Sequence, residues 1–143
     1  MSTLDTAMRA SASALSAERA RIEVAVSNMA NAESTRGANG EPYRRRDVVL
    51  SSTPVETFDS ALGRAGATMG VKVYGIVEDQ TPFKRRYDPA HPDADATGFV
   101  AYPNIDVPEQ VVDMMSASRA YQANLSAIGM IKDMVQRALD LGK

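Results

Sequence analysis

Residues 104–142 read NIDVPEQVVDMMSASRAYQANLSAIGMIKDMVQRALDLG, and two interleaved series run through them. Val111, Ser118, Leu125, Lys132 and Leu139 recur at one seven-residue interval; Met114, Tyr121, Ile128 and Val135 recur at a second, offset by three. That is an a/d seam held over about four heptads, the pattern that packs two helices along their length. Asp106-Val107-Pro108-Glu109 supplies the start: Asp106 can cap free N–H groups, Pro108 fits the first turn, and Glu109 completes a capping-box spacing. Gly142 stands where a helix commonly ends. Such a helix is about 50 Å long at 1.5 Å per residue. The rest of so small a chain cannot cover it, so it requires a partner.

The N-terminus offers one. Met8, Leu15, Ile22 and Met29 recur at intervals of seven, with Leu4, Ser11, Glu18 and Ala25 offset by four. This predicts a second heptad helix, about 45 Å long, from Ser2 or Thr3 to near Ala30. Ala and Ser fill most of the intervening positions. They permit close approach but bury little apolar area, so this helix depends on packing for its stability. An ordinary helical hairpin closing a monomeric domain accounts for the same pattern.

Between the helices the periodicity changes. Asp47–Leu50, Val71–Val77, Phe83–Tyr87 and Thr97–Tyr102 read as short strands, β-branched or aromatic, forming a small, mostly antiparallel sheet. The division is therefore 1–35, the N-terminal helix and its asparagine-rich exit; 36–103, a β-containing segment; and 104–143, the C-terminal helix. Within the central part, 53–70 is rich in Ser, Ala and Gly and reads as flexible or partner-dependent. The fold class is α+β, with the terminal helices forming a coiled coil.

Composition excludes several functions. A net charge of −2 over 143 residues gives no basic excess for a phosphate backbone. Arg44-Arg45-Arg46 does not alter this, because alternation along a strand sends the three to opposite faces. Without Cys there is no disulfide framework, thiolate zinc site or cysteine nucleophile. No apolar run approaches the roughly 20 residues of a membrane span. Met1–Asp5 lacks the basic and apolar regions of a secretory signal, so no cleaved signal is expected.

The chemistry-bearing residues are few. His91 is the only histidine and sits among Asp88, Asp93 and Asp95. A metal-dependent site is conceivable there, but the spacing fits no EF-hand loop and Pro89 and Pro92 favour a solvated turn. Glycosidase-type work would need Asp93 and Asp95 opposed across a pocket. There is no phosphate-binding glycine loop and no serine elbow. No cofactor, small-molecule substrate or nucleic acid is expected; the chain reads as one that assembles.

Several stretches are similar to one family. Ser27-Asn28-Met29-Ala30-Asn31-Ala32-Glu33-Ser34-Thr35 resembles the N-terminal signature of bacterial flagellar rod and hook proteins. Pro42–Arg46, Tyr87–Pro92, Gly98–Val107 (with Tyr102-Pro103-Asn104) and Met114–Asn124 (with Arg119, Tyr121 and Asn124) resemble the proximal-rod proteins of the FlgC type. One departure is the extra loop between Thr35-Arg36-Gly37 and Tyr43.

The resemblance implies a non-enzymatic axial subunit, exported without a cleaved signal by the flagellar type III apparatus and polymerised helically in the periplasmic rod. It implies an inner layer of paired terminal helices and an outer β-containing layer. The implied partners are copies of itself, other proximal-rod proteins, the rod-to-ring adaptor and the export apparatus. A soluble helical adaptor or export chaperone, holding a partner helix along the same seams, is the competing reading.

Overall fold

In the computed structural model, residues 3–37, 39–55 and 68–140 are described. The N-terminal helix α1 spans Thr3–Ala30 and the C-terminal helix α2 spans Val107–Asp140. Between them come β1 (Arg46–Pro54), β2 (Met69–Glu78), β3 (Lys84–Tyr87) and β4 (Phe99–Tyr102). Two helices flanking a small antiparallel strand region make an α+β fold.

The start of α2 follows its sequence. Gln110 N–H donates to Asp106 O at 3.1 Å, which makes Asp106 the first residue to accept a helical bond. Gly142 lies outside the described residues. The helices run antiparallel: Asn28, near the end of α1, meets Gln110, in the first turn of α2. Farther along, Ile22 shares one open depression with Met114, Met115, Ser118 and Arg119.

α1 is the middle layer, packed against α2 and against both β1 and β2. Ser13 meets β2 while Ile22 meets α2. Nine residues separate the two, about two and a half turns, so they lie on opposite faces. This accounts for the Ala/Ser composition of α1: a helix approached from two sides needs small residues, and Ala17 and Ala25 are buried.

Among the described residues the four strands form two separate two-stranded antiparallel sheets, not the single sheet expected from the sequence. β1 pairs with β2 from Arg46↔Glu78 to Pro54↔Met69, with an irregularity between Val49 and Leu50. Tyr74 falls opposite that irregularity and is 81% exposed. At its far end the hairpin is fastened to α1: Ser13 Oγ accepts the Val71 N–H at 3.0 Å and donates to Ala10 O at 2.7 Å. Of the stretch 53–70 read as flexible, Thr53 and Pro54 close β1, Val55 is buried, and Met69 and Gly70 open β2. Residues 56–67 of that reading lie outside the described residues.

The second sheet, β3–β4, sits near the exit of α1. Tyr87 and Phe99 face each other across it, with ring centroids 5.3 Å apart in an edge-on arrangement. Val100 is fully buried, and Tyr102, Pro103 and Ile105 continue the core toward α2. The loop joining the strands is organised by Asp95, whose Oδ1 accepts the Thr97 hydroxyl at 2.6 Å, the Thr97 N–H at 2.8 Å and the Phe99 N–H at 3.0 Å. Its other oxygen pairs with Arg85.

Candidate functional site

The described residues hold no group of three or more His, Cys, Asp or Glu side chains placed to take a metal. His91 Nδ1 accepts the Asp93 N–H at 3.1 Å. The Asp93 carboxylate accepts Thr35 Oγ1 at 2.8 Å and faces Arg36 at 3.4 Å. The carboxylates of Asp93 and Asp95 are thus occupied, and Asp88 takes part through its main chain, its carbonyl accepting the His91 N–H at 3.2 Å. Asp95 is held well below the usual aspartate range, first by the Thr97 hydroxyl, then by the Phe99 N–H. Asp79 is lowered too, chiefly by the Thr81 N–H.

What the fold does concentrate is a buried polar node where the two helices and the first hairpin meet. Asn28 is 1% exposed and Gln110 3%. Asn28 Nδ2 donates to Arg46 O and to Gln110 Oε1, both at 2.8 Å. Asn28 Oδ1 accepts the Arg46 N–H at 3.0 Å and the Tyr43 hydroxyl at 3.1 Å. A primary amide has two donors and two acceptor positions, and all four are used. Toward β1 the carboxamide behaves as a neighbouring strand would, taking both main-chain groups of Arg46 at the start of the strand. Toward α2 it reads a side chain that only one helix register delivers.

Neighbouring groups extend the node. Tyr43 OH also lies 3.2 Å from Ser27 Oγ, and Asn31 Nδ2 donates to Ser27 O at 2.8 Å as the helix ends. Arg45 reaches three carboxylates, Asp47 at 3.1 Å, Asp79 at 3.5 Å and Glu109 at 3.5 Å, and so joins β1, the end of β2 and the first turn of α2. Asn104 Nδ2 donates to Thr81 Oγ1 at 2.9 Å, tying the approach to α2 to the turn after β2. Beside the node an open groove of about 490 Å³ is lined by Asn31, Asn39, Tyr43, Arg44 and Arg46 among others.

The residues singled out from sequence distribute as follows. Leu4, Met8, Leu15, Ile22 and Met29 of α1 are half-buried, as are Val111, Met114, Tyr121, Ile128 and Val135 of α2. Leu125 and Leu139 are 54% and 66% exposed, off the stripe that meets α1 within the chain. That stripe runs one residue earlier, through the buried Gln110, Ala117 and Ile131, with half-buried Asn124 between them. Of the motif residues, Asn28, Asn31, Thr35 and Asn104 make the bonds given above. Tyr102 is buried with its hydroxyl bonded to Arg86, and Pro103 is buried beside it. Asn124 bonds within its helix, to Ala120 O at 2.9 Å, and Arg119 is exposed. Sequence reasoning missed Gln110, Ser13 and the role of Tyr43.

Comparison with known proteins reaches both sides of the node. A family profile described as "Flagella basal body rod protein" matches residues 8–38, and one described as "Flagellar basal body rod FlgEFG protein C-terminal" matches residues 96–141. The flagellar basal-body rod protein FlgC of Salmonella typhimurium is 46% identical over 131 residues, covering 92% of each chain. That of Bacillus subtilis is 45% identical over 145 residues, covering 95% of this chain and 96% of the relative. That of Agrobacterium fabrum is 36% identical over 144 residues, covering 100% and 98%. The chain belongs to the FlgC family of flagellar basal-body rod proteins. In this FlgC-family chain the node joins the two profile-matched segments, since Asn28 falls in one and Gln110 in the other.

Proposed function

We infer that the chain is a structural subunit of the flagellar basal-body rod, polymerising helically and carrying no catalytic activity of its own. The observation that carries this reading is the identity to FlgC proteins over nearly the whole length of both partners. A physical feature supports it. Val112, Met115, Leu125, Met130, Met134 and Leu139 are all exposed along α2. Tyr74, Ile76 and Val77 are exposed on the hairpin. So much apolar surface on two elements fits a chain that completes its packing with neighbours. Contacts between unlike faces that do not close on themselves build a filament.

On this reading segments 1–35 and 104–143 form an inner coiled-coil layer and 36–103 an outer one. Leu125 and Leu139 belong to contacts between subunits. The immediate partners are further copies and other rod proteins. The rod-to-ring adaptor and the type III export apparatus follow from the same assignment, with the chain exported without a cleaved signal and placed in the periplasmic part of the basal body. Deletion of the gene followed by fractionation tests the reading. A rod subunit is found in detergent-purified basal bodies, and its loss stops rod assembly. A helical adaptor or export chaperone stays in the cytoplasm and is absent from them.

A further inference from the structure

Asn39-Gly40 is the chain's one Asn-Gly pair; Asn28, Asn31, Asn104 and Asn124 precede Met29, Ala32, Ile105 and Leu125. An asparagine carboxamide can be attacked by the main-chain nitrogen of the following residue, and crowding by that residue's Cβ limits the reaction. Glycine removes the obstacle. Both residues are exposed, Gly40 has φ 81°, and nothing lies within 4 Å of where its Cβ would be. Asn39 Oδ1 accepts the Glu41 N–H at 3.3 Å, so a donor already faces the oxygen on which negative charge develops during attack. The other four are committed elsewhere. Asn28 is enclosed in the node, while Asn31, Asn104 and Asn124 donate their Nδ2 to Ser27 O, Thr81 Oγ1 and Ala120 O.

We propose that Asn39 is a site of spontaneous deamidation. Hydroxide removes the Gly40 amide proton, and the nitrogen attacks Cγ of Asn39, forming a C–N bond in a five-membered ring. The bond from Cγ to Nδ2 breaks, and ammonia leaves with a proton from solvent. Water then opens the cyclic imide at either carbonyl, leaving aspartate or isoaspartate, with no change of oxidation state. The Gly40 N–H is held by Gly37 O at 3.0 Å and that bond must open first, so the folded loop reacts more slowly than the unfolded chain.

The products change the groove beside the node. A carboxylate at position 39 adds negative charge to a groove already bordered by Glu41, which lies 3.7 Å from Arg44. Isoaspartate also adds a methylene to the main chain between 39 and 40. It thereby disrupts the loop closed by Gly37 N–H to Glu41 O at 2.7 Å.

The test is incubation of the folded full chain at mildly alkaline pH, with peptide mass spectrometry and enzymatic isoaspartate labelling. A parallel sample is held in denaturant. The expected result is an amide-to-acid mass change confined to the peptide carrying Asn39, isoaspartate in excess of aspartate, and loss of both signals in Asn39→Gln. The proposal is overturned if the denatured chain reacts at Asn39 and the folded chain does not. It is equally overturned if Asn28, Asn31, Asn104 or Asn124 reacts first. Neither outcome bears on whether the chain builds a rod.

Discussion

Replacing Asn28 by Ala should be among the most damaging single changes in the chain, and the size of the effect can be worked from its four bonds. Gln110, 3% exposed, would lose its 2.8 Å donor, at about 1–3 kcal/mol for an unsatisfied buried acceptor. The Arg46 main-chain pair sits at the entrance of β1 and can recover water, so its share is nearer 1 kcal/mol. Tyr43 keeps Ser27 Oγ at 3.2 Å and adds little. The sum is about 2–4 kcal/mol, a large part of the 5–15 kcal/mol typical of a domain. Asn28→Asp preserves the shape but loses both donors and sets a carboxylate against Gln110 Oε1 and Arg46 O. It should cost at least as much near neutrality, and less as acid returns one donor. Urea unfolding followed by circular dichroism measures the change, and hydrogen exchange at the Arg46 amide locates it. In a double-mutant cycle with Gln110→Ala, the pair should cost less than the sum of the singles, because the second change removes the orphaned group. The reasoning fails if Asn28→Ala lies within about 0.5 kcal/mol of the parent, the range of ordinary surface changes, and Arg46 protection is unaltered.

Gly70→Ala would place a Cβ 2.9 Å from Ser13 Oγ and 3.2 Å from Val55 Cγ2, so either the Ser13 hydroxyl swings aside and gives up the Val71 N–H or the hairpin draws back from α1. The expected loss is about 1–3 kcal/mol, with part recovered by adding Ser13→Ala; strictly additive losses would refute the close approach. Asp95 is depressed below its unfolded value, so its contribution is complete above the ordinary aspartate range and fades as pH falls through and below about 4. The parent's melting temperature should therefore drop more steeply with acid than that of Asp95→Ala, and parallel slopes would contradict the assignment. Leu125→Ser and Leu139→Ser should leave single-chain unfolding within about 0.5 kcal/mol while reducing incorporation into basal bodies. Loss of stability without loss of incorporation would place both residues in the intrachain core instead.

The order of elements was readable because each carries its own local signal. Asp106-Val107-Pro108-Glu109 marks a helix start, and β2 contains the β-branched run Val71–Val77. The separation of the strands into two sheets was not readable, because pairing is set by long-range register and not by composition. The node was half readable. Asn28 was reached through the family motif, but Gln110 lies 82 positions away, and nothing in its neighbourhood distinguishes a buried glutamine from a solvated one.

Of the two series read on α2, the one that runs through Leu125 and Leu139 lies beside the buried stripe for an instructive reason. Val111, Leu125 and Leu139 make their series the more apolar one, and a monomeric protein buries its more apolar stripe. Here α1 is lined with Ala and Ser, and close approach to such a surface favours small or shape-matched residues over large ones. Gln110, Ala117, Asn124 and Ile131 satisfy that requirement with a single large apolar side chain among them. The larger residues left over, Leu125, Leu139, Met130 and Met134, are exposed on α2. A monomer has no use for that arrangement, whereas in a filament their burial is deferred until a neighbour arrives. The energy that locks subunits together is then not spent in folding each one. The paired outcome expected for Leu125→Ser and Leu139→Ser, little change alone and a defect in the basal body, follows from this division of labour between the two stripes of one helix.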